Sequence, residues 1–288
     1  MIDSQNKPSV WITGAGGLIG NYLVQLAPQF APSFQAVGLT RQTLDLLDFP
    51  TVRGAFREQQ PAAIIHCAAM TKPPECQSNP ASARRVNVET TALLAELAAN
   101  IPFVFISTDL VFDGRKGNYI ETDPVNPLSV YAETKVAAEQ IVLANPRHTV
   151  LRTSLNGGVS PTRDRGFNEQ IRNAWQRGQK LSFFTDEFRS PIRAEFTARA
   201  CWELFSRRLG GIFHVAGREK LSRAQMGEML ARRYQHLNPQ FETSSLKDYV
   251  GAPRSPDTSL DSSKAQAQLS FQLPGLTDWL LENPTAPF

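Results

Sequence analysis

Tyr131 and Lys135 stand four residues apart, a spacing that puts two side chains on one face of a helix. Asn126-Pro127 upstream suits an N-cap and a first helical position, so the helix is expected to begin there. A free phenol, with a pKa of ~10, is a poor proton donor or acceptor at pH 7, and lowering it by about three units requires about 4 kcal/mol. A cation ~4 Å away in an effective dielectric of ~20 supplies that much, so Lys135 is the expected activator. Ser107, Thr108 and Asp109 follow the apolar run 103–106. Hydroxyls at the carboxyl end of a central strand point into the crevice where ligands bind. Thr108 can therefore hydrogen-bond a substrate oxygen while Tyr131 delivers a proton to it.

A second group of residues suits a dinucleotide. Thr13-Gly14-Ala15-Gly16-Gly17-Leu18-Ile19-Gly20 follows the apolar Val10-Trp11-Ile12 and opens a stretch of near-helical apolar spacing through Leu23, Val24 and Leu26. Glycine serves a strand-to-helix turn twice, by accepting positive φ and by letting backbone N–H groups approach a pyrophosphate. The register is TGxxGxxG, with Gly14, Gly17 and Gly20 in step, because Ile19 stands where GxGxxG would place its last glycine. About 20 residues on, a dinucleotide fold reads the adenosine ribose. An acid there would favour NAD; here Arg41 offers a guanidinium fork to a 2′-phosphate, which favours NADP(H) over NAD(H). Asp45 and Leu46, with Leu47 and Asp48, are placed to line an adenine pocket.

These groups need a scaffold, and the pattern supplies one. Short apolar runs at 10–12, 34–39, 62–67, 103–106 and 149–151 alternate with helical stretches at 89–100 and 136–143. Strands alternating with helices imply an α/β protein with a doubly wound, Rossmann-type parallel sheet covered on both faces. After about residue 155 the pattern changes: a polar loop at 156–166, helices at 167–178 and 194–208, a strand at 212–215, a helix from Ser222 to about 234, and few periodic features over 238–263.

The chain has 288 residues, 41% hydrophobic and 20% charged, which excludes disordered, collagenous and coiled-coil classes. Thirty basic against 27 acidic residues leave +3, too little to argue for nucleic acid or a membrane surface. Cys67, Cys76 and Cys201 form no CxxC pair, and His66, His148, His214 and His236 form no HxxxH, so no metal site is expected. No signal-peptide core or membrane-length apolar run stands out, and a cytoplasmic location is expected.

The motifs TGAGGLIG, HCAAMT, RVNVETT, ISTDLVFDG, YIETDPVNPLSVYAETK and LRTS occur in that order. On them the chain resembles an extended short-chain dehydrogenase/reductase, and within that group the dTDP-4-dehydrorhamnose reductases. Weaker matches at GIFHVAGREKLSRAQM and SLDSSKAQAQL extend the likeness over nearly the whole chain. The resemblance implies a Thr108, Tyr131, Lys135 triad. It places Gly14, Gly17, Leu18 and Ile19 at the pyrophosphate and Ala68, Ala69 and Thr71 along the cofactor path. Ser107 lies beside that path, Lys135 also at the nicotinamide ribose, and Asn87 at a structural or proton-relay position. On the substrate side Thr108, Val111, Tyr131, Asn168, Arg189 and Arg254 are expected; a nucleotide-sugar diphosphate wants cations, and Arg163, Arg165, Arg189, Arg193 or Arg254 could provide them. It divides the chain into an NAD(P)-binding part, 1–155, and a smaller, discontinuous substrate lobe, mainly 156–288, with later segments completing the sheet.

The expected reaction is hydride reduction of the keto group of a nucleotide-linked sugar, or of a similar carbonyl, with a nucleotide sugar as small-molecule partner and a homodimer compatible with the reading. Sugar-nucleotide dehydratases carry a second acid where Leu110 stands, and 4-epimerases an acid where Arg41 stands. The chain departs from many reductases of the group at Leu155-Asn156, at Asp186 to Ile192 and at Cys76. Those departures keep two alternatives open: a cofactor-binding subunit without turnover, like the regulatory subunit of methionine adenosyltransferase, and an epimerase.

Overall fold

The computed structural model describes residues 7–288. Its centre is a six-stranded parallel sheet of β1 (Ser9–Thr13), β2 (Gln35–Leu39), β3 (Ala63–His66), β4 (Phe103–Thr108), β5 (Thr149–Thr153) and β6 (Gly211–Val215). The spatial order is β6-β5-β4-β3-β1-β2. The chain runs outward from β1 to β2, then returns to β3 on the other side. That reversal opens a crevice at the carboxyl ends of β1 and β3.

Side chains alternate across each strand, and both faces are covered, so the strands read as unbroken apolar runs. Val10, Ile12, Ile65, Val104 and Ile106 pack on one face against Leu23 and Ala27 of α1 (Leu18–Phe30) and Trp202 and Phe205 farther along the chain. Trp11, Ile64, Phe103, Phe105 and Val150 pack on the other, against Val52 of α2 (Phe49–Gln59), Leu93 and Leu94 of α3 (Thr90–Leu97) and Ala138 and Val142 of α4 (Val130–Leu143). A separate cluster built on Phe167, Ile171, Trp175, Phe183, Leu230 and Trp279 joins α5 (Phe167–Gln176), α6 (Ala194–Ser206) and α7 (Arg223–Arg233) to the C-terminal segment. From α6 it is the partly buried Phe196 that packs on this cluster.

Several boundaries move. The helix carrying Tyr131 does not start at Asn126-Pro127; Ser129 is its cap, accepting the Ala132 N–H at 3.3 Å, and Val130 is its first residue. The expected helix at 89–100 is preceded by a π-helical turn, Arg85–Glu89. The stretch 238–263 contributes a strand, Phe241–Ser244, paired with Leu181–Phe184.

One buried hydrogen-bond chain ties the glycine turn to the helices beside it. The Thr13 hydroxyl accepts N–H groups from Cys67 and Ala68, both at 3.2 Å, so its proton goes to His66 Nδ1 at 2.6 Å. His66 Nε2 then carries the hydrogen and donates to Thr91 Oγ1 at 3.1 Å, which in turn donates to the Asn87 carbonyl at 2.7 Å. His66 is fully buried and stacks on Phe105. Burial, helped by the charge of Lys135, lowers its pKa to about 3. The unfolded chain, with an ordinary imidazole, therefore binds one more proton between about pH 6.5 and 3. Stability from this group is intact above that window and falls through it by about 1.4 kcal/mol per pH unit. In urea unfolding at several pH values, His66→Gln should lose that slope, and an unchanged slope would show that the buried imidazole is not its source.

Candidate active site

The site forms where β4 ends. Thr108 is the last residue of that strand and caps the short turn after it, its Oγ1 accepting the Leu110 N–H at 3.2 Å. Tyr131, in the first turn of α4, is buried, with Thr108 among the groups that act on its hydroxyl. Lys135, one turn on, is 2% exposed; its Nζ donates to the Ile106 carbonyl at 2.7 Å and lies 3.8 Å from the Phe105 ring centroid. The three side chains thus converge on one strand end.

The electrostatics differ from the simple expectation. Burial raises the Tyr131 phenol above its usual range; the Thr108 hydrogen bond opposes this, and the Asp109 and Cys76 charges add to it. Lys135 does not lower it here, because its ammonium faces a main-chain carbonyl and an aromatic ring. Burial instead lowers Lys135 to about 7, opposed by Glu139 and Cys67. Glu139 is itself paired with Arg152 at 2.7 Å, both side chains 3% exposed.

Asp109 gathers bonds from Thr108 and from three segments farther along the chain. Its Oδ1 accepts from Thr108 Oγ1 at 3.1 Å, while Oδ2 accepts from Ser154 at 2.7 Å and Thr258 at 2.9 Å, with Arg189 Nε at 3.8 Å. Three distant segments therefore close on the residue after Thr108.

The glycine turn fits a dinucleotide. Gly14 has φ +69°, and a Cβ there would fall 2.7 Å from Ala68 N; one on Gly17 would meet the Gly14 carbonyl at 3.1 Å. Gly17 caps α1 without a side chain, which leaves the amide groups at Leu18 and Ile19 facing outward with the helix dipole behind them. Ser107 Oγ is buried without a partner among the described residues, and a ligand hydroxyl would satisfy it. Arg41 is exposed just past β2 and forms no ion pair among the described residues. Asp45 is exposed and spends one oxygen on Leu47 N; Leu46 packs against the sheet core. Asp48 caps α2, accepting from Thr51. Ala68 and Ala69 are half-buried beside Gly14, Thr71 is exposed, and Asn87 bonds Met70 and Thr134 Oγ1.

The expected substrate residues divide. Val111 is a correction: it is fully buried in a cluster with Phe112, Tyr119 and Leu260, because the turn after Thr108 rolls it inward. Asn168, also fully buried, spends its amide on the Gly158 backbone. Arg189 is 4% exposed and occupied by Glu187, Asp109 and the carbonyls of Phe188 and Ser255. Arg254 does reach an opening. With Arg223, Phe183 and Phe184 it lines a cavity of about 290 Å³. Both arginines flank Glu187. Burial would raise the Glu187 carboxyl, but the Arg254 hydrogen bonds and the charges of Arg189 and Arg223 hold it below the usual range. Sequence reasoning missed Arg223, hidden in the capping box of Ser222 and Gln225, and missed the role of Asp109.

Among the described residues no group of His, Cys, Asp or Glu could hold a metal, and no helix is long and apolar enough to cross a membrane. The chain matches the RmlD substrate binding domain family over residues 8–282. It is 30% identical over 278 residues to dTDP-4-dehydrorhamnose reductase of Sinorhizobium fredii, covering 91% of this chain and 92% of that one. It is 29% identical over 273 residues to methionine adenosyltransferase 2 subunit beta of Danio rerio, covering 89% and 84%. The crystal structure of dTDP-4-dehydrorhamnose reductase from Bacillus anthracis in complex with NADP has the same fold, with a TM-score of 0.85 at 23% identity over 96% of this chain and 98% of that one. The glycine turn, the doubly wound sheet and the match over nearly the full length agree: this chain belongs to the RmlD substrate-binding-domain family, the dTDP-4-dehydrorhamnose reductase group of the extended short-chain dehydrogenases/reductases.

Proposed function

We propose that the chain is an NADP(H)-dependent reductase acting on the keto group of a nucleotide-linked sugar or a similar carbonyl compound. The observation that carries this reading is the convergence of Thr108, Tyr131 and Lys135 at the end of β4, beside a turn shaped for a dinucleotide. When bound, the nicotinamide supplies the hydride. Gly14, Gly17, Leu18 and Ile19 hold the pyrophosphate by backbone N–H groups, and Arg41 holds the ribose phosphate. Asp45 and Leu46 flank the adenine; Ala68, Ala69, Thr71 and Asn87 border the path; Ser107 and Lys135 take the nicotinamide ribose.

Thr108 orients the carbonyl oxygen and Tyr131 gives it a proton as general acid. The raised phenol keeps that proton in place at neutral pH. An NADP-bound relative supports the phosphate-bearing cofactor. The aromatic and cationic lining of the Arg223–Arg254 cavity suits an anionic, ring-bearing substrate tail. Arg189 and Asn168 then act by holding the lobe together.

A second reading, a cofactor-binding subunit without turnover, is favoured by the methionine adenosyltransferase relatives. Co-purification with a larger enzyme, together with NADPH binding but no NADPH oxidation across a panel of keto sugars, would favour it. An epimerase would be isolated with NAD already bound.

Tyr131→Phe should lower turnover by about 10²- to 10⁴-fold while the NADPH Kd stays within about twofold; retained turnover would remove Tyr131 from the chemistry. Arg41→Ala should weaken NADPH by about tenfold, the order of one charge-assisted contact, and leave NADH unchanged in fluorescence titrations. Equal loss for both cofactors would contradict a 2′-phosphate contact.

A further inference from the structure

We propose that Glu187 is a specificity-determining residue: an internal anion that occupies Arg254 and Arg189, so that the cavity beside them holds a substrate's anionic tail through Arg223. The inference takes the anionic tail from the reductase reading and rests on geometry for the division of labour among the three guanidinium groups. The short strand Phe188–Arg189 pairs antiparallel with Leu221–Ser222, with Phe188 opposite Ser222. The Arg223 N–H continues that ladder by donating to the Glu187 carbonyl at 2.9 Å. This register sets Arg223, the first residue of α7, beside Glu187. Arg189, two residues along the strand, and Arg254, far along the chain, reach the same carboxylate.

The three share that carboxylate unequally. Arg254 donates from Nε to Oε2 at 2.7 Å and from Nη2 to Oε1 at 3.0 Å, a fork that takes one whole edge of its guanidinium. Arg189 Nη2 lies 2.9 Å from Oε1, and its Nη1 donates to the Phe188 and Ser255 carbonyls at 2.6 and 3.0 Å. Arg223 Nε stands 4.0 Å from Oε1, beyond hydrogen-bonding distance, and its side chain makes no hydrogen bond among the described residues. That side chain is 24% exposed and lines the cavity with Phe183 and Phe184. Burial lowers the Arg223 guanidinium to about 10, which leaves it a cation at neutral pH. The cavity lining therefore offers one cation with unused donors, one with an edge already taken, and no carboxylate.

A guanidinium recognises a phosphate or carboxylate through paired N–H groups, and an acid that already holds them competes with the ligand. Glu187 is 2% exposed, and a ligand that pulled Arg254 away would strip a buried carboxylate of a partner, which is costly. The tail therefore meets Arg223, with its flat groups against Phe183 and Phe184, and a second negative charge on it gains little from Arg254. Neutralising Glu187 removes the competitor and lets Arg254 turn its fork to the ligand. Arg189 would still have Asp109 at 3.8 Å and its two backbone carbonyls, so the lobe keeps those ties.

The probe is thymidine diphosphate-glucose, which carries two phosphates and no ketone, titrated calorimetrically into the full chain with NADPH present. Glu187→Gln should tighten its Kd about tenfold, the order of one charge-assisted contact, and leave the NADPH Kd within about twofold. In an Arg254→Met background the same change should gain less than about threefold, because the freed fork is gone. Arg223→Met should weaken the probe about tenfold and Arg254→Met by a smaller factor. An unchanged or weaker Kd in folded Glu187→Gln, or an equal gain in both backgrounds, overturns the proposal. So does wild-type protein that does not bind the probe. If Glu187→Gln does not fold, the two arginine variants decide, and equal losses overturn it. The titrations need no turnover. Protein that behaves this way yet oxidises NADPH with no ketone removes the reductase reading and leaves the Glu187 assignment standing.

Discussion

The site depends on one buried ammonium. Lys135 reaches from α4 across to β4, bonds the Ile106 carbonyl and rests on the Phe105 ring. A lysine in such surroundings loses most of its hydration, and its pKa of about 7 is the consequence. Glu139, one turn along the helix, opposes that fall and is itself held by Arg152 from β5. A helix, two strands and an ion pair are thus committed to keeping one cation at the end of the sheet. Removing it would leave the Ile106 carbonyl without its side-chain donor and the Phe105 ring without its cation.

The same economy explains the cleft's far wall. Arg189 and Asn168, expected at the substrate, are occupied by Glu187, Asp109 and backbone carbonyls, polar ties between segments far apart in the chain. Buried charges that are paired and hydrogen-bonded can be tolerated there, and their loss is costly. Arg223 and Arg254, which flank Glu187, also line an open cavity.

Much of this was legible in the residues. Periodicity located all six strands to within a few residues, and Gly14, Gly17 and Gly20 announced the turn because a Cβ would collide with backbone at Gly14 and Gly20 and crowd a carbonyl at Gly17. Tyr131 and Lys135 were legible from spacing, though the capping residue was not: Asn126-Pro127 has the right chemistry, but Ser129 is where the chain leaves extended geometry. The direction of the Tyr131 shift was not legible, since it turns on burial, which a four-residue spacing does not reveal. Val111 was misplaced because the β4 strand gives way to a turn after Thr108, reversing which side chains face inward. The Asp109 hub joins residues 45 and 149 positions apart, beyond any local signal.

The central claim, that this scaffold transfers hydride and does more than bind a cofactor, is tested most directly by isotope. NADPH carrying deuterium at nicotinamide C4, in each of its two stereochemical forms, is incubated with the protein and a thymidine-diphosphate-linked 4-keto-6-deoxy sugar, and the product is analysed by mass spectrometry. The account predicts that one form, and not the other, leaves deuterium on the former carbonyl carbon. Tight NADPH binding with no deuterium in any sugar product would contradict it.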